Sequence, residues 1–106
     1  MTMPTIVASY FEADHHNDAD ALIDTFTTDA VVDDEQSLHQ GKDAIRIWWT
    51  AAKQASQFVV APLDVKTESN VTQVRASVSG AFAGSPITLT HTFTITNGKI
   101  AKLEIK

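Results

Sequence analysis

An α+β fold, with helices in the first half and a sheet in the second, follows from a change of apolar period and from the turns that come after it. Up to about residue 55 the apolar residues recur at helical spacing, and beyond it they alternate with a period close to two. The second half also carries turn signals at Ser69-Asn70, Gly84-Ser85 and Asn97-Gly98, which divide it into strands. The chain has 106 residues, 43% of them hydrophobic and 20% charged. That is enough to bury one core and leaves no room for a second, so residues 1–106 are expected to form a single domain.

The first helix is expected after Pro4, whose fixed φ suits a first turn, with Ile6, Val7, Tyr10 and Phe11 on its buried face. Asn17 is the expected N-cap of a short second helix that buries Leu22, Ile23 and Phe26. Ala30, Val31 and Val32 then form a brief strand running into Asp33, Asp34 and Glu35. After Gly41 a third helix turns Ile45, Trp48, Trp49 and Ala52 inward.

The strands can be registered from their own turns, because a slip by one residue would put polar side chains in the core. A Ser69-Asn70 loop sets Val65 opposite Val74, Leu63 opposite Ala76 and Asp64 opposite Arg75. A Gly84-Ser85 turn sets Phe82 opposite Ile87, Gly80 opposite Leu89 and Val78 opposite His91. A three-residue loop, Thr96-Asn97-Gly98, with Gly98 left-handed in a bulge, then brings Ala101, Leu103 and Ile105 onto the face of His91, Phe93 and Ile95. The opposite face carries Thr88, Thr90, Thr92, Thr94 and Thr96. Pro62 has no N–H for a ladder, so the strand over 58–68 belongs at a sheet edge.

Composition narrows the function. With no cysteine there is no disulfide framework, thiolate metal site or cysteine nucleophile. The formal charge of -5 disfavours nucleic acid and anionic membranes as partners. Nine of the thirteen acids, and no Lys or Arg, fall in the first 41 residues; the eight bases are spread over the rest without interleaved aromatics. No apolar run approaches the roughly 18 residues of a membrane span, and a soluble, cytoplasmic protein is expected. Histidines at the i, i+4 or i, i+2 spacing of a chelating face are absent, as are phosphate loops and nucleophile elbows, so neither metal nor cofactor is expected.

Chemistry is carried by the few polar residues that fall on apolar faces. His91 is the one ionisable group in the inward series Ile87, Leu89, His91, Phe93, Ile95, and an imidazole there must be hydrogen-bonded, hydrated or turned to a ligand. Tyr10 lies on the buried face of the first helix, with Asp14 one turn later on the same face. Asp33 and Asp34 end the short strand, so alternation points one inward and the other out. His39 falls in a loop and is expected to be exposed.

The run A-S-Y-F-E-A-D-H-H-N-D-A-D-A-L-I-D-T-F-T-T-D-A-V-V-D-D, followed by G-K-D-A-I from Gly41, resembles the start of the nuclear transport factor 2-like superfamily. Ketosteroid isomerases and SnoaL-like polyketide cyclases are the branch most similar in pattern. The resemblance implies a cone: a curved antiparallel sheet closed by the N-terminal helices around a pocket. It implies Tyr10 as an oxyanion donor and Asp34 as the proton-shuttling base. His91 stands where the isomerases carry a protonated aspartic acid as second donor, Asp14 where they carry an apolar pocket residue, and Trp49 where they can carry a supporting tyrosine.

The expected ligand is a small, mostly apolar molecule bearing a carbonyl or hydroxyl, held by Asp14, Trp49, Leu89, Phe93 and Leu103. Two classes of function remain open at this point. One is an isomerase, cyclase or dehydratase in which Asp34 takes a proton alpha to a carbonyl while Tyr10 and His91 donate to the oxyanion; a direct His91–Asp34 hydrogen bond would instead make His91 the base. The other is a module of the same fold that binds a small molecule without transforming it. A homodimer packed through the weakly charged threonine face is also expected.

Overall fold

The computed structural model describes residues 2–106. Three helices, α1 (Thr5–His15), α2 (Ala19–Asp24) and α3 (Lys42–Ser56), pack on a curved, unclosed six-stranded sheet. The strands are β1 (Phe26–Asp34), β2 (Ser37–Gln40), β3 (Val59–Glu68), β4 (Val71–Ser79), β5 (Ile87–Thr96) and β6 (Lys99–Ile105). Their order is β2-β1-β6-β5-β4-β3, with β1 parallel to β6 and every other pair antiparallel. The α+β class holds, and β3, the strand with Pro62, is an edge as expected.

Alpha1 is held to the sheet by aromatic rings. Tyr10 meets Phe93 and Phe26 edge-on at 5.3 and 5.9 Å, and Phe11 meets Phe93 and His91 at 5.6 Å each. Such edge-to-face pairs each add about 0.5–1.5 kcal/mol beyond the area they bury, and they fix the depth and rotation of the helix. Val7, Leu22, Val32, Ile45, Val74, Ile100 and Leu103 complete a core that solvent does not reach.

Several local expectations are corrected. Asp18, not Asn17, caps α2: its side chain accepts from the Ala21 N–H at 3.1 Å, while Asn17 takes a positive φ of 55° in the turn before it. The brief strand of Ala30–Val32 is the middle of a nine-residue β1, and a hairpin through Glu35 and Gln36 returns as β2. His39 is therefore a strand residue, half-buried, rather than part of an exposed loop.

Register was right in parity and wrong in offset. In β3–β4, Val65 faces Val74 and Asp64 faces Arg75 as expected, but Leu63 is bulged out, half-exposed, and Pro62 takes the place opposite Ala76. Between β4 and β5 the pairing is displaced by four residues: Val74, not Val78, faces His91, and Val78 faces Ile87. Four is even, so His91 still points inward and the threonines outward. The extra residues leave the sheet at Gly80 to meet the end of α3. A Cβ there would lie 2.7 Å from the Ser56 carbonyl oxygen and 2.9 Å from Phe58 Cα, and the Ala81 N–H donates to that carbonyl at 2.8 Å. Between β5 and β6 the turn is the two-residue Asn97-Gly98, both at positive φ, and the additional residue is absorbed by a bulge at Ala101. Leu103 and Ile105 reach the His91 face as expected, whereas Ala101 does not pair.

Candidate functional site

The concave side of the sheet and one face of α3 enclose a cavity of about 1300 Å³. Small-molecule sites commonly measure about 300–1,000 Å³, and this one is larger because its mouth is open. From α3 come Trp48, Ala51, Ala52, Ala55 and Ser56, a stripe at i, i+3, i+4, i+7 and i+8. Four of these five side chains are small, and the space they leave is the cavity. The sheet contributes Val60, Val78, Ile87, Leu89 and Ile105, and the loop after β4 adds Ala81, Phe82 and Ala83 at its edge.

Three polar residues singled out from the sequence, Tyr10, Asp34 and His91, line this one cavity, as does Leu89. Asp34 reaches it because it follows Ala30 and Val32, both buried, on the inward face of β1. Asp33 alternates to the other face of the strand, although it too borders the cavity, with Glu35, Gln36 and Ser37. The Asp34 Oδ2 accepts a hydrogen bond from Trp48 Nε1 at 3.0 Å, so the partner of Asp34 is an indole and not the His91 imidazole.

Trp49, Asp14, Phe93 and Leu103 lie elsewhere, which corrects their expected place on the cavity wall. Phe93 and Leu103 are fully buried in the core beneath it. Of the two adjacent tryptophans of α3, which diverge by about 100° around the helix, Trp48 lines the cavity. Trp49 turns into the core and donates its Nε1–H to Asp14 Oδ1 at 2.8 Å. Lys53 Nζ stands 3.4 Å from the same oxygen, donates to the Phe58 carbonyl at 2.8 Å and sits 4.0 Å above the Phe58 ring. Burial pushes the Asp14 carboxyl up, opposed by the Trp49 hydrogen bond and by Lys53. A cleft of about 360 Å³ opens beside this cluster and shares Phe58 and Val60 with the larger cavity.

The protonation states in the cavity follow from burial. Tyr10 is held well above its ordinary value, first by desolvation and then by the charges of Asp14 and Asp34. It therefore stays a hydroxyl that can donate. His91 is 3% exposed, and burial lowers it to about 4, with the Leu89 backbone partly opposing the shift. At neutral pH it is an uncharged imidazole, able to donate through one nitrogen and accept through the other. Its Nδ1 is buried with no hydrogen-bond partner among the described residues.

Two residues of the cavity are not singled out by the sequence: Trp48, since either tryptophan of the adjacent pair could form a wall and Trp49 is the one expected there, and His39, which reads as a loop residue. His39 pairs with Val32 across the β1–β2 ladder, and its ring lies 6.0 Å from that of Trp48, tilted by 34°. An aromatic at i relative to small residues at i+3, i+4 and i+7 was the available signal for Trp48; for His39 there was none without β2. Among the described residues no three His, Asp or Glu side chains are grouped to hold a metal ion, and no helix is long and apolar enough to cross a membrane.

Three helices packed on a curved, unclosed six-stranded sheet are the nuclear transport factor 2-like fold. Within it the chain belongs to the SnoaL-like domain family, whose model matches residues 7–103. A crystal structure of a candidate polyketide cyclase from Sinorhizobium meliloti is 54% identical, with a TM-score of 0.97 over 98% of this chain and 95% of that one. An epoxide hydrolase/cyclase-like enzyme with a role in pyran ring formation in the polyether salinomycin is 23% identical, with a TM-score of 0.83 over 94% of this chain and 85% of that one. A protein of ketosteroid isomerase-like fold from Catenulispora acidiphila, in complex with trimethylamine, is 18% identical, with a TM-score of 0.83 over 99% and 86%. The last two share the fold. No curated protein matches the chain.

Proposed function

We propose that this chain is a cyclase- or isomerase-type enzyme that works without a cofactor on a small, mostly apolar carbonyl compound, with Asp34 as the base that removes a proton alpha to the carbonyl. The observation that carries this is the Trp48–Asp34 hydrogen bond at the wall of a cavity that also holds Tyr10 and His91. The indole occupies Oδ2 and fixes the carboxylate, which leaves Oδ1 to accept a proton. As the proton leaves, negative charge moves to the carbonyl oxygen. Tyr10, kept protonated by its burial, donates to that oxygen, and neutral His91 donates a second hydrogen bond. The apolar walls beside these donors lower the local dielectric and strengthen both interactions. The resemblance to a candidate polyketide cyclase and to an epoxide hydrolase/cyclase-like enzyme supports the cyclase- or isomerase-type part of this reading.

The experiment is deuterium exchange alpha to the carbonyl, screened over apolar ketones and enones and followed by NMR. Asp34→Asn is expected to abolish exchange nearly completely. Tyr10→Phe and His91→Ala are each expected to slow it by about 100- to 1,000-fold, the usual worth of an oxyanion donor. Exchange that persists in Asp34→Asn removes Asp34 from the role of base. Tight binding of a ketone with neither exchange nor turnover marks a binding module instead.

A further inference from the structure

The cavity holds a second imidazole that the scheme above leaves idle. His39 is half-buried on β2, the short edge strand. Residues directly opposite in an antiparallel ladder share a face, so His39, opposite Val32, points to the same inward side as Val32 and Asp34. Asp34 is opposite Ser37, which makes His39 its diagonal neighbour, a Cα spacing of roughly 7–8 Å. Trp48 ties the two together: its indole N–H holds Asp34 at 3.0 Å while its ring lies 6.0 Å from that of His39. A carboxylate and an imidazole thus face one cavity from adjacent strands.

His91 and Tyr10, the two hydrogen-bond donors of that scheme, do not duplicate this one. His91 is uncharged at neutral pH and Tyr10 is a weak acid in its buried setting, so both suit hydrogen bonding better than delivery of a proton. Imidazole is the side chain that serves most often in general acid–base catalysis.

We propose that His39 is the general acid of this site and that the substrate is a β-oxygenated carbonyl compound, a proposal that rests on Asp34 being the base. The α C–H bond breaks and its proton passes to Asp34. The electron pair becomes the α,β double bond, and the β C–O bond breaks with its pair on oxygen. That oxygen takes the proton of the His39 imidazolium and leaves as water, or as the hydroxyl of a longer chain. Afterwards Asp34 returns its proton, through solvent at the open mouth, to neutral His39. Run backwards, the same steps add a hydroxyl to an enone and close a cyclic ether.

The test uses the ketone that exchanges fastest in the screen above, prepared with either hydroxide or para-nitrophenolate as β leaving group. Hydroxide needs a proton to depart and para-nitrophenolate does not. In His39→Gln the ratio of para-nitrophenolate to hydroxide elimination is expected to rise by about 10²- to 10⁴-fold over wild type, the usual worth of a general acid. A purely structural role would lower both rates and leave the ratio where it was. If His39→Gln does not fold, His39→Ala with and without added imidazole reads the same ratio, and imidazole is expected to restore it. An unchanged ratio overturns the proposal. Failure of the underlying scheme shows separately, as α-exchange that survives in Asp34→Asn.

Discussion

His91 makes the stability of the protein depend on pH in a direction and amount that can be worked out. Its imidazole is 3% exposed between Phe11 and Phe93, and its folded-state value of about 4 lies below the ordinary 6.5. Between these two values the unfolded chain binds a proton that the folded chain refuses. Stability is therefore fully present above about pH 6.5 and is lost as pH falls toward 4. At 1.36 kcal/mol per unit, the loss between pH 7 and pH 5 is about 2 kcal/mol, and by pH 4 it is about 3 kcal/mol. Asp14 works in the opposite direction. Its carboxyl is raised by burial, so it gains relative stability as it is protonated in the folded state. Comparison with His91→Phe cancels that contribution, because Asp14 is present in both proteins. The assay is urea unfolding of wild type and His91→Phe at steps from pH 8 to 4.5. Relative to the variant, the wild-type midpoint is expected to fall by on the order of 1 M in urea between pH 7 and pH 5. A difference between the two proteins that stays constant over that range would refute the claim that His91 is buried in its neutral form.

The two tryptophans separate function from stability. Trp48→Phe removes the hydrogen bond to Asp34 from a half-buried wall residue and is expected to slow α-exchange by about 10- to 100-fold with less than about 1 kcal/mol lost in urea unfolding. Trp49→Phe strips the buried Asp14 of its indole partner and is expected to cost about 1–3 kcal/mol while leaving Asp34 its partner; the same two assays check both variants. For the outer face we propose a homodimer: Thr88 to Thr96 present alternate threonines there, exposed or half-buried, without a charge among them. Sedimentation equilibrium at micromolar concentration is expected to give twice 11.5 kDa, and a mass of 11.5 kDa would count against it.

Parity was legible in the sequence. Alternation along residues 87–95 needed no knowledge of the partner strands to put His91 and Phe93 inward and the threonines outward, because the side-chain period of a strand is a property of its own backbone. Helical spacing likewise put Tyr10 on a buried face, and alternation at the end of an apolar strand put one aspartate of the Asp33-Asp34 pair on the inward face. Offset was not legible. A displacement of four residues between β4 and β5 keeps every side chain on its face, so it leaves no trace in the pattern. It was set instead by Gly80 packing on the backbone of Ser56 and Phe58, residues distant in sequence. The bulges at Leu63 and Ala101 are invisible for a related reason, since each moves one residue out of line while its neighbours remain plausible. The rotation of α3 decided which of two adjacent tryptophans faces the cavity, and that rotation is tied to Asp14, which meets Trp49 and Lys53, on one side and to Asp34, which meets Trp48, on the other. His39 entered the site only because β2 folds back along β1, a pairing between strands that neither segment's own sequence specifies.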